Sequence, residues 1–362
     1  MLRAGLIGLP SSGKTTLFHL LTSAREAPRT HGKAEANVGI SRVPDDRLDR
    51  LTALFQPKKR VPATVEFADM AAGRSDAAAL LDVAAYRQAD ALLHVVRAFH
   101  DEAVPHPKGS IDPVRDARLI EDEMILADLG VAERRLDRLV KDLKKNPSPD
   151  LKKEEELLAA CRASLENGRA LRTLGLSRDD ARRLRGFQLL SAKPLLLVIN
   201  LDEADLQQRA GAAPGAALAG LDAFLAEVHG MAVDVCAKIE LEIAQLDPAD
   251  AQAFLADLGL RESGLDRVIR AAYELLGYIS FLTVGEDECR AWSIPRGTPA
   301  LEAAGAIHSD IQRGFIRAEV VASDRLLARG SLAACRDHGE LRLEGKEYVV
   351  ADGDCITFRH AT

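Results

Sequence analysis

The chain has 362 residues, 47% hydrophobic and 28% charged, with a formal net charge of −7. These globular values exclude a disordered, collagen-like or low-complexity chain, and at roughly 150 residues per domain they predict two or three domains. The acidic balance argues against a basic nucleic-acid wrapper but leaves room for a local basic patch.

No apolar run approaches the ~18 residues of a membrane span. The start Met1-Leu2-Arg3-Ala4-Gly5 lacks the pattern of a signal peptide. The five cysteines lie far apart without a Cys-x-x-Cys pair, so neither a disulfide framework nor a zinc site is expected. The reading is a soluble, cytoplasmic, monomeric protein.

Residues 2–8 form a short apolar run, followed by a Gly/Ser turn and a helical pattern from Lys14 to about Ala24. Further strands are predicted over Val61–Ala68, Ala91–Val96, Pro194–Asn200 and Ala232–Cys236. Helical patterns lie between them at Asp46–Phe55, Asp76–Gln88 and Ala216–His229. Continuous apolar strands alternating with helices predict an α/β fold with a parallel sheet covered on both faces.

The alternation stops between about Asp116 and Leu190. Leu136, Leu139, Val140 and Leu143 recur at helical spacing, Asn146-Pro147-Ser148-Pro149-Asp150 breaks the helix, and Leu158, Cys161, Leu165 and Arg172 give a second stripe. This reads as an antiparallel helical coiled-coil arm. Residues 133–186 carry 15 Lys and Arg against 10 Asp and Glu. A solvated hairpin and an RNA-facing arm both fit that excess. A helix over about Gly264–Leu276 leads into short strands at Ile279–Val284, Arg290–Ile294, Ile316–Ala322, Lys346–Val350 and Cys355–Arg359, with one helix at Thr298–Gln312. The predicted domains are therefore 1–115 with 191–278, the arm 116–190, and a small α+β domain 279–362.

Gly8-Leu9-Pro10-Ser11-Ser12-Gly13-Lys14-Thr15 satisfies G-x-x-x-x-G-K-[ST], after a strand and before a helix. The glycines let backbone N–H groups face phosphate oxygens, and the helix adds its positive end. Lys14 supplies a point charge, the Thr15 hydroxyl suits Mg²⁺, and Thr16 completes the loop. Asp69 ends a neighbouring strand, where a carboxylate that assists Mg²⁺ through its bound water belongs. Asn200-Leu201-Asp202-Glu203 stands where guanine-specific proteins carry Asn-Lys-x-Asp. Leu201 in place of Lys and Glu203 in place of Asp argue against strict guanine reading. Cys236-Ala237-Lys238 resembles the loop that backs the base.

On these residues the chain resembles the YchF-type, Obg-related P-loop ATPases. The resemblance extends to Asn37-Val38-Gly39, Val43-Pro44-Asp45, Cys236-Ala237-Lys238-Ile239-Glu240, Arg290-Ala291-Trp292-Ser293-Ile294, Arg313-Gly314-Phe315-Ile316 and Glu344-Gly345-Lys346-Glu347-Tyr348. It implies a coiled-coil arm inserted in the nucleotide domain, a C-terminal TGS-type, ubiquitin-like domain, and ATP accepted at least as well as GTP. It also implies ribosome or ribosomal RNA association, and a histidine that acts on water, here His106.

Three departures stand out. Lys33 occupies the place of the family's Mg²⁺-binding threonine. The family's Asp-x-x-Gly becomes Asp69-Met70-Ala71-Ala72, with Gly73 one residue late. The following Gly-rich stretch is shortened to the Ala-rich Arg74–Ala85. The family's redox-sensing cysteine falls at Gly32. Two activities follow as expectations: a slow Mg²⁺-dependent ATPase, or a hydrolysis-impaired paralogue that binds nucleotide and serves as a ribosome-associated module.

Overall fold

A computed structural model describes residues 3–23, 37–69, 83–208, 218 and 220–361. The chain divides into two units, residues 1–40 with 66–272 and residues 41–65 with 273–362. No helix of the described residues is long and apolar enough to cross a membrane.

Strand β1 (Arg3–Ile7) runs through the phosphate-loop turn into helix α1 (Lys14–Ser23). Then come β2 (Asn37–Arg42), α2 (Asp46–Phe55), β3 (Lys59–Val61), β4 (Thr64–Asp69) and β5 (Ala91–Arg97). Helices α3 (Pro113–Lys145), α4 (Pro149–Glu166) and α5 (Arg178–Leu184) interrupt the alternation. It resumes with β6 (Leu195–Asn200), α6 (Glu203–Gln208), α7 (Leu221–Val228), β7 (Met231–Val235), α8 (Ala237–Ile243), α9 (Pro248–Asp257) and α10 (Gly264–Leu275).

The first sheet has the order β2-β4-β1-β5-β6-β7, and the pairs β4-β1, β1-β5, β5-β6 and β6-β7 are parallel. β5 and β6 are buried at every position, as strands covered on both faces must be. On one side Leu92, Val96, Leu197 and Ile199 share a core with Ile120 and Met124 of α3 and Phe224 of α7. Each such side chain contributes about 1.5–3 kcal/mol by leaving water. That fixes the carboxyl ends of β1, β5 and β6 side by side, where the site lies.

The arm begins at Asp112, whose side chain accepts from the Arg115 N–H, with Pro113 in the first turn. Ser148 caps α4 through the Leu151 N–H, so the turn lies within the predicted break. Leu136, Leu139, Leu158, Cys161 and Leu165 form the buried seam. Three predicted seam residues differ. Leu143 is only half-buried and lies outside that cluster. Val140 is 46% exposed. Arg172 lies in a 3₁₀ turn, where its guanidinium donates to the carbonyls of Val228, Ser191 and Lys193 and pairs with Glu121. Its charge fits that set of oxygens better than an apolar seam.

The second unit adds β8 (Tyr278–Thr283), β9 (Glu288–Pro295), α11 (Ala300–Ile307), α12 (Ser309–Arg313), β10 (Phe315–Ala322), α13 (Ser323–Arg329), α14 (Leu332–Asp337), β11 (Arg342–Glu344) and β12 (Asp354–His360). Its sheet runs β11-β10-β12-β8-β9-β3. Ile279, Phe281, Ile294, Ala303, Val320 and Phe358 belong to its core.

Several predicted boundaries shift. Val61–Ala68 is not one strand: Lys59–Val61 pairs in parallel with Glu288–Arg290, and Thr64–Asp69 joins the first sheet. Residues 41–65, expected within 1–115, thus group with 273–362. The helix expected over Thr298–Gln312 is broken at His308, whose extended backbone (φ −162°, ψ 144°) separates α11 from α12. Strand β11 at 342–344 replaces the one expected at Lys346–Val350. Of Asp76–Gln88, only Val83–Gln88 is described, as a 3₁₀ helix.

Candidate nucleotide-binding site

β1 delivers Gly8 to the end of a buried sheet and α1 starts at Lys14, so residues 8–13 must reverse the chain at close quarters. A Cβ on Gly8 would sit 2.5 Å from the Val95 carbonyl oxygen. Gly13 has φ +88°, and a Cβ there would strike the Asn200 amide. Ser11 also takes a left-handed conformation, at φ +63°. The loop bounds a cavity of about 490 Å³ lined by Gly8, Leu9, Pro10, Ser11, Ser12, Gly13, Lys14, Thr15 and Thr16, together with Tyr86, Phe99, Asp101 and Val104. The first turn of α1 carries no acid, so no side chain of its own offsets the positive end of the helix at the loop.

Lys14 Nζ donates to Asp69 Oδ1 at 2.7 Å, with the two side chains only 15% and 6% exposed. The pair holds the lysine at the cavity wall. A phosphate that draws it away must give the ammonium a better partner, because an unpaired buried charge is costly. Thr15 is exposed beside it. The Thr15 hydroxyl, and the Asp69 carboxylate acting through a bound water, are hard oxygen groups of the kind that suits Mg²⁺. Among the described residues no cluster of three or more His, Cys, Asp or Glu offers a separate metal site. Lys33 and Met70–Gly73 lie outside the described residues.

Asn200 is buried at the end of β6. Its Nδ2 donates to the Ser12 carbonyl at 3.1 Å, and its Oδ1 accepts from the Ala237 N–H at 3.1 Å. One amide thus ties the phosphate loop to the start of α8. Leu201 and Cys236 are buried, and burial pushes the Cys236 thiol above its usual range. Glu203 and Lys238 are exposed. The base-side residues Leu201, Glu203, Cys236, Ala237 and Lys238 do not line the 490 Å³ cavity; Asn200 joins them to it.

Sequence reasoning missed Arg97, Phe99 and Asp101. Arg97 is buried, donates from Nε to the Phe99 carbonyl at 3.1 Å and from Nη2 to the Asp101 carbonyl at 3.3 Å, and stacks 4.5 Å from the Phe99 ring centre. The available signal was a lone arginine closing an apolar strand. His106 lies in the same loop but outside the cavity lining. Its side chain is 5% exposed, with Nε2 2.9 Å from Asp116 Oδ2.

A parallel sheet ending in this cradle defines a phosphate-loop nucleotide-binding protein. Residues 278–361 match the YchF-GTPase C-terminal family, described as a protein of unknown function (DUF933). The chain is 42% identical over 365 residues to the ribosome-binding ATPase YchF of Bacillus subtilis, covering 99% of both. It is 35% identical to Obg-like ATPase 1 of Oryza sativa, covering 99% of this chain and 92% of that one. The structure of the Schizosaccharomyces pombe YchF GTPase superposes with a TM-score of 0.86 at 28% identity, over 99% of this chain and 97% of that one. The chain belongs to the YchF family.

Proposed function

We propose that this chain is a slow, Mg²⁺-dependent ATPase that acts in the cytoplasm as a monomer and associates with the ribosome or its RNA according to the nucleotide it holds. The observation that carries the reading is the phosphate cradle with Lys14 held at its wall by Asp69. The full-length relatives named ribosome-binding ATPases support the reaction and the partner.

Backbone N–H groups of Ser11, Gly13, Lys14 and Thr15 bind the β- and γ-phosphates, and Lys14 moves from Asp69 to the terminal phosphates. Thr15 would hold Mg²⁺, with Asp69 assisting through a bound water, and the ion would neutralise charge developing on the phosphate oxygens. Phe99, pinned by Arg97, abuts Gly13 and closes that side of the loop. His106 orients the attacking water. Its oxygen bonds to the γ-phosphorus as the bridging P–O bond breaks. One water proton stays on the released phosphate and the other passes to solvent. Adenine is accepted at least as well as guanine, because the longer carboxylate of Glu203 and the apolar Leu201 replace the guanine-reading pair.

The arm tip is the surface offered to RNA. Lys141, Lys144, Lys145, Lys152 and Lys153 are exposed around the 146–148 turn. Such a group releases counterions on meeting phosphates.

Single-turnover hydrolysis of ATP and GTP by the parent and Lys14→Ala tests the reading. ATP turnover without a GTP preference, lost in a folded Lys14→Ala, is expected. A mutant that still binds and hydrolyses ATP like the parent overturns it.

A further inference from the structure

β5 ends at Arg97 and α3 begins at Pro113, so residues 98–112 form a loop whose first half lines the phosphate cavity and whose second half enters the arm. His106 sits between these halves. Its Nδ1 accepts from the Lys108 N–H at 3.1 Å, which assigns the neutral imidazole's proton to Nε2. Nε2 faces Asp116 Oδ2 at 2.9 Å.

Asp116 is itself held. Its Oδ1 accepts from Arg115 Nε at 2.9 Å and Nη2 at 2.7 Å. The same guanidinium reaches back to Ser110 Oγ at 2.9 Å and the Ser110 carbonyl at 2.7 Å. The first turn of the arm helix and the loop before it thus form one clasp around the imidazole. Nδ1 is taken by the loop backbone, and Nε2 lies against Asp116, outside the lining of the phosphate cavity. The hold is also imperfect: Asp116 Oδ2 is buried, and despite its closeness to Nε2 it has no aligned hydrogen bond. Misalignment weakens the contact, and Arg115 stays on the Asp116 carboxylate when the imidazole leaves, so that carboxylate is not left without a charge partner.

We propose that Asp116 is a positioning residue that parks His106 away from the phosphate cavity, and that hydrolysis requires the imidazole to leave it. This rests on the reading that His106 orients the attacking water. Asp116 rides on α3, so a displacement of the arm root moves the imidazole's partner. The pairing thereby ties the arm's attachment to the catalytic loop.

The test compares ATP hydrolysis by the full chain, Asp116→Asn, Asp116→Ala, His106→Ala and the double variant Asp116→Asn/His106→Ala. Weakening the clasp should raise kcat about 5-fold or more with KM unchanged. The double variant should lose that gain. In ¹⁵N spectra of the nucleotide-free protein, the imidazole should change tautomer balance or exchange faster in Asp116→Asn. A folded Asp116→Asn with kcat equal to or below the parent's, while His106→Ala is impaired, overturns the parking role and leaves His106 in its place. His106→Ala turning over at the parental rate overturns both. A rise in kcat that persists in the double variant also overturns the proposal, since the gain then does not pass through His106.

Discussion

Replacing Asn200 with Asp tests whether the site is held together as described. The side chain is buried, and its two polar atoms serve two backbone groups from different parts of the chain. Asp keeps an acceptor for the Ala237 N–H but places an oxygen where Nδ2 met the Ser12 carbonyl. That carbonyl loses its donor, at a cost of about 1–3 kcal/mol, and a buried carboxylate adds its own desolvation. The expected loss of stability is about 2–4 kcal/mol. The Ser12 carbonyl belongs to the phosphate loop, so ATP affinity should also fall by ~30-fold or more, about 2 kcal/mol. Urea unfolding followed by far-UV circular dichroism measures the first quantity. The single tryptophan, Trp292, lies in the second unit and would report the wrong part. Calorimetric titration measures the second. An Asn200→Asp variant with the parental urea midpoint and affinity would refute the account of Asn200 as the tie between loop and sheet.

Three further outcomes follow from buried groups and the arm. Burial lowers His94 from 6.5 to about 3, so the unfolded chain takes up a proton that the folded chain cannot, and stability falls as pH drops below 6.5. This residue should remove about 2 kcal/mol between pH 8 and pH 5, and His94→Leu should abolish that part of the acid sensitivity in urea titrations at the two pH values. Burial raises Glu240 from 4.5 to about 7, so its contribution is intact below 4.5 and is lost as pH rises through 7. Glu240→Gln, which keeps an acceptor for the Gly264 N–H at 2.6 Å, should gain up to about 3 kcal/mol at pH 8 and nothing at pH 4. Reversing Lys144, Lys145 and Lys152 to Glu should weaken RNA binding and leave nucleotide affinity unchanged. The slope of log affinity against log salt should shrink by about 0.7–0.9 for each phosphate no longer neutralised, which filter binding across a salt series checks.

The parts legible in the sequence were those set by local sterics and periodicity. The phosphate loop is short-range: its glycines, the lysine at the helix start and the preceding apolar strand lie within a dozen residues. The apolar runs of β5 and β6 and the seam Leu136, Leu139, Leu158, Cys161 and Leu165 repeat at the spacing of the element that buries them. Tertiary structure alone decided where isolated polar groups go. Lys59–Val61 could have continued into β4, but its partner is 229 positions away along the chain, at Glu288–Arg290. Arg172 looked like a stripe residue until three carbonyls and a carboxylate met its guanidinium. Asn200 reads as a base-side residue, yet it holds a carbonyl 188 residues away. His106 reads as a loop histidine, and only the packing of the arm's first turn puts Asp116 against it. A hydrogen bond or ion pair needs one donor and one acceptor at the right distance, and the chain can bring these from any separation. Periodicity carries no record of that choice, whereas a buried strand or a helical seam writes its pattern into consecutive residues.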